Sequence, residues 1–168
     1  MEYQELIAAR HSVRRFEDRE VPREIIDKII EEATTAPSSK NTKSSEFVVV
    51  EDHDTIVALS EMRESGSTFM KNAPAVIVVL GNKEKTDLWE VNCAISTTFL
   101  QLSAVEHGLG SCWVHVNGRV RSKYAADPDP EVRKGHPEGM AEDYVRELLG
   151  IRPEFGILCV VALGYEAE

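Results

Sequence analysis

Cysteine is scarce in this chain, three in 168 residues. Cys93, Cys112 and Cys159 are odd in number and far apart, which argues against a disulfide framework. Each lies in an apolar or small-residue run, so the reading is reduced thiols packed in a core, with a free reactive thiol as the alternative. No apolar run approaches the length needed to span a bilayer. Met1-Glu2-Tyr3-Gln4-Glu5 lacks the basic start and apolar stretch of a secretory leader, so a cytoplasmic protein is expected. Basic residues are in the minority, 19 Lys and Arg against 29 Asp and Glu, for a formal net charge of -10. Such a chain repels nucleic acid and anionic membranes at long range, so neither is expected as a partner, and any anionic ligand needs a local basic cradle. Internal repeats and low-complexity tracts are absent too. What remains is an ordinary globular composition, 42% hydrophobic and 29% charged, with a length that suits one domain over residues 1–168.

Hydrophobic spacing alternates between helix and strand. Tyr3, Leu6 and Ile7 form a short amphipathic helix that delivers Arg10 at its end. Pro22 opens a second helix, whose apolar face is Ile25, Ile26, Ile29, Ile30 and Ala33. Thr34 to Ser45 is polar and carries Pro37 and several serines, so it reads as a loop ahead of a buried strand, Phe47–Val50. Asp54 is placed to cap a helix bearing Ile56, Val57, Leu59 and Met62. Ala75–Leu80 is a second buried strand, and Trp89 to His107 a central helix whose broad apolar face suits the domain interior or a subunit interface. Gly108 stops it. Ser111–Val116 and Gly156–Leu163 read as further strands, with a short helix at 141–149 between them. The long polar connection at 117–140 is a candidate lid, and His136 within it reads as an exposed loop residue, with a substrate-facing role as the alternative.

Two segments carry chemistry. Arg10-His11-Ser12-Val13-Arg14-Arg15-Phe16 puts three guanidinium groups into a short stretch, forked donors suited to phosphate oxygens or an electron-rich heterocycle. Pro37-Ser38-Ser39-Lys40-Asn41 offers hydroxyls and an amide between a helix and a strand. Other constellations are weaker. Gly108-Leu109-Gly110 follows a helix rather than opening one, which disfavours a dinucleotide-binding fingerprint. Cys112 and His115 could chelate zinc or simply pack. Trp89 and Trp113 could be core anchors or ligand stackers.

Taken together, Arg10-x-Ser12-x-Arg14 with Phe16, Ala36-Pro37-Ser38 with Asn41, Gly108-Leu109-Gly110-Ser111-Cys112-Trp113, and Ala162-Leu163-Gly164-Tyr165 resemble, in order and spacing, the nitroreductase family of flavin-dependent oxidoreductases. The resemblance implies an α+β fold with a mixed central sheet surrounded by helices, assembled as an intertwined homodimer with FMN at the interface. It implies that Arg10, His11, Ser12 and Arg14 hold the phosphate, ribityl chain and pyrimidine edge of one flavin. Pro37, Ser38, Ser39 and Asn41 would approach that flavin from the other subunit. Trp113, Val114 and His115 would lie beside the ring system, with a backbone N–H toward its N5. No side chain is expected to be catalytic and no metal is expected. NAD(P)H would be the co-substrate, and a nitroaromatic, quinone or other conjugated small molecule the electron acceptor, in a ping-pong cycle. A flavin-binding or redox-sensing protein without sustained turnover is the alternative, and flavin-consuming chemistry a more distant one. The chain departs from the family at Lys43-Ser44-Ser45, where relatives carry Gln-Pro-Trp, and at its acidic close, Glu166-Ala167-Glu168, where many carry a basic tail. Arg119 or Arg121 could stand in for that tail.

Overall fold

A computed structural model describes residues 1–121, 127–134 and 139–168. The candidate lid at 117–140 therefore falls partly, and His136 wholly, outside the described residues. The helices are α1 (Tyr3–Ala9), α2 (Arg23–Ala33), α3 (His53–Ser60), α4 (Trp89–Glu106), α5 (Pro130–Lys134) and α6 (Ala141–Leu149). Two 3₁₀ turns, Ser39–Asn41 and Thr68–Asn72, and the strands β1 (Ser45–Val50), β2 (Ala75–Asn82), β3 (Gly110–His115) and β4 (Phe155–Gly164) complete the list.

The strands form one sheet in the order β1-β2-β4-β3. All three pairings are antiparallel, with Val50 opposite Val76, Val78 opposite Val160, and Cys112 opposite Ala162. The α3 excursion returns the chain to the end of the sheet it left, so β2 runs back along β1. The parallel component expected of a mixed sheet is confined, among the described residues, to an isolated bridge between Ser12 and Ser111. The α+β class stands.

Strand alternation sorts the core into two layers. Val76 and Val78 of β2 face one cluster with Ile56, Leu59 and Val145 of α3 and α6. Ala75, Ile77 and Val79 face the other, with Ile26, Ile29, Trp89 and Leu100 of α2 and α4. Both sides of β2 and β4 are covered, so their sequences are continuous apolar runs. Ile26 and Ile29 are fully buried, each contributing about 1.5–3 kcal/mol.

The cap of α3 is Asp52, whose carboxylate accepts from the Thr55 N–H at 3.0 Å. Asp54, the expected cap, lies in the first turn. Both aspartates satisfy the residue preference at that point, and the chain's entry angle decides between them.

Candidate active site

The arginine segment is held as an extended strip. Arg10 caps α1, its N–H reaching Leu6 O at 3.3 Å. The Val13 N–H then donates to Ser111 O at 2.9 Å. On its other flank, Glu17 N donates to Tyr165 O at 2.8 Å and Ala167 N to Arg15 O at 3.0 Å. Val13 and Phe16 are buried and Ser12 and Arg14 exposed; the three-residue spacing of the buried pair departs from strict strand alternation, so the strip turns between them. The strip lies close because residue 110 has no side chain; a Cβ there would come within 2.6 Å of Val13 Cγ2.

Arg10 and Arg14 make no hydrogen bond or ion pair among the described residues, whereas Arg23 and Arg146 each hold a carboxylate. His11 is committed. Its Nε2 meets Glu166 Oε1 at 2.9 Å and its Nδ1 meets Ala9 O at 2.9 Å. The Glu166 carboxylate, chiefly through that hydrogen bond, raises the His11 pKa above its ordinary 6.5.

The strip joins β3 at one end only. β3 is an edge strand, and the bond from Val13 N to Ser111 O shows that Ser111 directs its backbone outward. By alternation Trp113 and His115 do the same, while the backbone of Val114 faces β4. The N–H groups offered along the free edge thus belong to Trp113 and His115, not to Val114, whose side chain is 2% exposed within the core. Trp113 Nε1–H donates to His115 Nδ1 at 3.1 Å, with the rings stacked at 6.1 Å. Cys112 points to the opposite face from His115, so the two cannot chelate together from this strand. Burial raises the thiol pKa of Cys93, to about 11, and that of Cys159 further still. All three cysteines are free and buried.

The serine loop is anchored elsewhere, by a residue that periodicity does not single out. Asn92 of α4, 2% exposed, accepts the Ser39 N–H at 2.9 Å. Its Nδ2 shares two hydrogens among three acceptors in range, Ser44 Oγ at 2.9 Å, Ser39 Oγ at 3.1 Å and Thr42 Oγ1 at 3.3 Å. Every polar position of the amide is used. Asn92 shares α4 with other buried polar residues, Ser96, Thr97, Gln101 and Ser103, so nothing in the sequence pattern singles it out. Ser38 Oγ accepts from Lys43 N at 3.0 Å, and Lys43 Nζ reaches Ala36 O at 3.1 Å. Lys40, Asn41 and Lys43 have φ of 49°, 55° and 48°, conformations that the network must hold against about 1–3 kcal/mol of strain each. Pro37 and Asn41 are exposed. Lys43, itself exposed, ties the loop back to the end of α2 through the Thr34 and Ala36 carbonyls.

Within one chain the two segments do not meet. A cavity of about 380 Å³ beside the loop is lined by Pro37, Ser38, Lys43, Phe47, Asn92 and Ser96 among others, and by no residue of the arginine strip. Asn92 and Glu106, which pairs with the N-terminal ammonium, lie about 21 Å apart along α4. Arg119 and Arg121 lie past the end of β3 opposite to the one that Ser12 meets. Arg121 is engaged, its Nε donating to Glu61 O at 3.2 Å.

Antiparallel sheet, two helical layers and an N-terminal arginine strip along a free strand edge define an α+β architecture. The nitroreductase family model matches residues 7–65 and 57–165, and the chain belongs to the nitroreductase family. A protein of Archaeoglobus fulgidus provisionally named NADH dehydrogenase/NAD(P)H nitroreductase is 32% identical over 167 residues, covering 97% of this chain and 84% of its own. The solved FMN-dependent nitroreductase of Clostridium difficile R20291 is 36% identical with a TM-score of 0.86, over 97% of this chain and 87% of that one. A shorter stretch of 53 residues, 32% of this chain and 18% of the relative, is 47% identical to human iodotyrosine deiodinase 1.

Proposed function

We propose that this chain binds FMN between two copies of itself and catalyses NAD(P)H-dependent reduction of nitroaromatics, quinones or other conjugated electrophiles. The observation that carries this reading is the pair of unpartnered guanidiniums, Arg10 and Arg14, set beside the free edge of β3 in a chain of net charge -10. Carboxylates are abundant, yet none is placed on either arginine among the described residues, as suits groups that await an anion.

The donor set fits the flavin. Arg10, Ser12 and Arg14 would hold its phosphate, ribityl chain and pyrimidine edge, and the N–H groups of Trp113 or His115 would face its ring system. His11, tied to Glu166, orients the strip rather than contributing a free donor. The serine loop would come from the second copy, since the loop of one chain shares no described cavity with its own strip. Exposed apolar residues on α1 and α4, Tyr3, Ile7, Val91 and Phe99, supply a surface for that copy. When bound, the flavin supplies two-electron transfer, which explains why no acid, base or nucleophile need be found among the side chains. Donor and acceptor then use one site in turn.

Titration with FMN, followed by its visible absorbance, tests the reading. Wild-type protein should bind FMN, and Arg10→Ala and Arg14→Ala should each weaken binding by about 1.5–3 kcal/mol. Sustained NADH or NADPH oxidation with menadione should follow. A protein that takes up no flavin sinks the proposal; one that takes it up without turnover is a binding protein instead.

A further inference from the structure

Beyond the far end of β3 lies a second gathering of cations that the flavin cradle does not use. The loop after α3 and the turn after β3 are stitched together, Glu64 N donating to Val120 O at 3.2 Å and Arg121 Nε to Glu61 O at 3.2 Å. This sets Arg63 and Arg119 on adjoining loops. Arg63 is partly buried, its guanidinium 3.9 Å from where a Cβ on Gly66 would stand. Arg119 follows His115 through a turn closed by Arg119 N to Val116 O at 3.0 Å.

Neither guanidinium has a hydrogen bond or ion pair among the described residues. The nearby acid Glu142 is already taken by Arg146 at 3.0 Å and by Asn117 at 3.3 Å. His115 adds a third donor. Because its Nδ1 accepts from Trp113, its proton sits on Nε2. Burial, then Arg119 and then Arg63, lowers the His115 pKa, with Glu90 acting weakly in the opposite sense. Burial and then Arg119 lower that of Arg63. Like charges brought together in a partly desolvated place repel, and an oxyanion removes the repulsion while matching the forked donors.

The geometry points to an oxyanion subsite formed by Arg63 and Arg119 beside His115, which takes the carboxylate or phosphate of a molecule lying along the Trp113–His115 edge. The identity of that molecule as an electron acceptor or a nicotinamide donor rests on the proposed function; the anion preference itself does not. Two sources could supply the oxyanion, an acidic conjugated acceptor or the 2′-phosphate of NADPH.

Titration calorimetry without turnover separates them and needs no redox step. 4-Nitrobenzoate is compared with neutral 4-nitrobenzyl alcohol, and NADP⁺ with NAD⁺, on wild-type protein and on Arg63→Gln/Arg119→Gln, each with and without FMN. The affinity of at least one anion should fall by about tenfold or more in the variant while its control changes by less than about twofold. Which anion falls identifies the source. Equal losses for anion and control, or no loss for either anion, would overturn the subsite. Arg119→Gln alone, at an exposed position, provides the same comparison if the double variant is not folded by near-ultraviolet circular dichroism. Loss of FMN binding in wild type would fail the proposed function while leaving the anion arms readable.

Discussion

At the scale of single residues, arginines divide by partner. Arg23 and Arg146 hold carboxylates, and Arg19 lies 3.7 Å from the Tyr165 ring centroid. Arg10, Arg14, Arg63 and Arg119 hold no group among the described residues. The sequence singled out Arg10 and Arg14 by their spacing and Arg119 only as a stand-in for a basic tail, and did not point to Arg63. Arg63 and Arg119 are separated by more than fifty positions, and the bonds from Glu64 N to Val120 O and from Arg121 Nε to Glu61 O place their loops side by side. His11 carries a pH signature. Its folded pKa is raised above 6.5 by Glu166, so its stabilising contribution is complete below that value and is lost as pH rises through the folded pKa. Urea midpoints measured at about pH 6 and pH 8 should fall more for wild type than for Glu166→Gln. Parallel slopes for the two would mean that the clasp adds nothing.

At the scale of elements, packing decides what pattern leaves open. Trp89 was readable as anchor or stacker, and it is an anchor, wedged against two glycines at the start of α4. A Cβ on Gly81 would come within 2.6 Å of Trp89 Cε3, and one on Gly156 would overlap the ring of Trp89 itself. Gly156→Ala should therefore cost about 1–3 kcal/mol by overpacking. Its urea denaturation midpoint checks this, and an unchanged midpoint would show that the indole moves aside freely. Helices α2 and α4 are further locked by Ser103 Oγ donating to Glu32 Oε2 at 2.5 Å and by His107 Nε2 meeting Glu32 Oε1 at 3.2 Å. The boundaries of α6 agree with its spacing, because αL Gly150, φ 65°, stops it.

At the scale of the whole molecule, the proposed dimer would give the exposed apolar residues on α1 and α4 a surface to cover. Val91 is 52% exposed on the same helix whose Asn92 holds the serine loop from the inside, and Leu88, just ahead of that helix, is 46% exposed. Covering that surface with a second copy would also deliver a serine loop to the other copy's arginine strip. Wild-type protein should sediment as a dimer at low micromolar concentration, and Val91→Glu should shift it toward monomer with weakened FMN binding. A Val91→Glu monomer that retains full FMN affinity would contradict a shared site.

The sequence by itself determined the α+β class, the apolar strands of the sheet interior, the arginine strip and the family, because these rest on local periodicity and short motifs in order. Only the tertiary structure decided that His11 serves Glu166, that Trp113 and His115 rather than Val114 face the free edge, and that Asn92 holds the serine loop. It alone set Arg63 beside Arg119. Each of these depends on strand register or on contacts between distant segments, and one residue of register reverses which groups point outward.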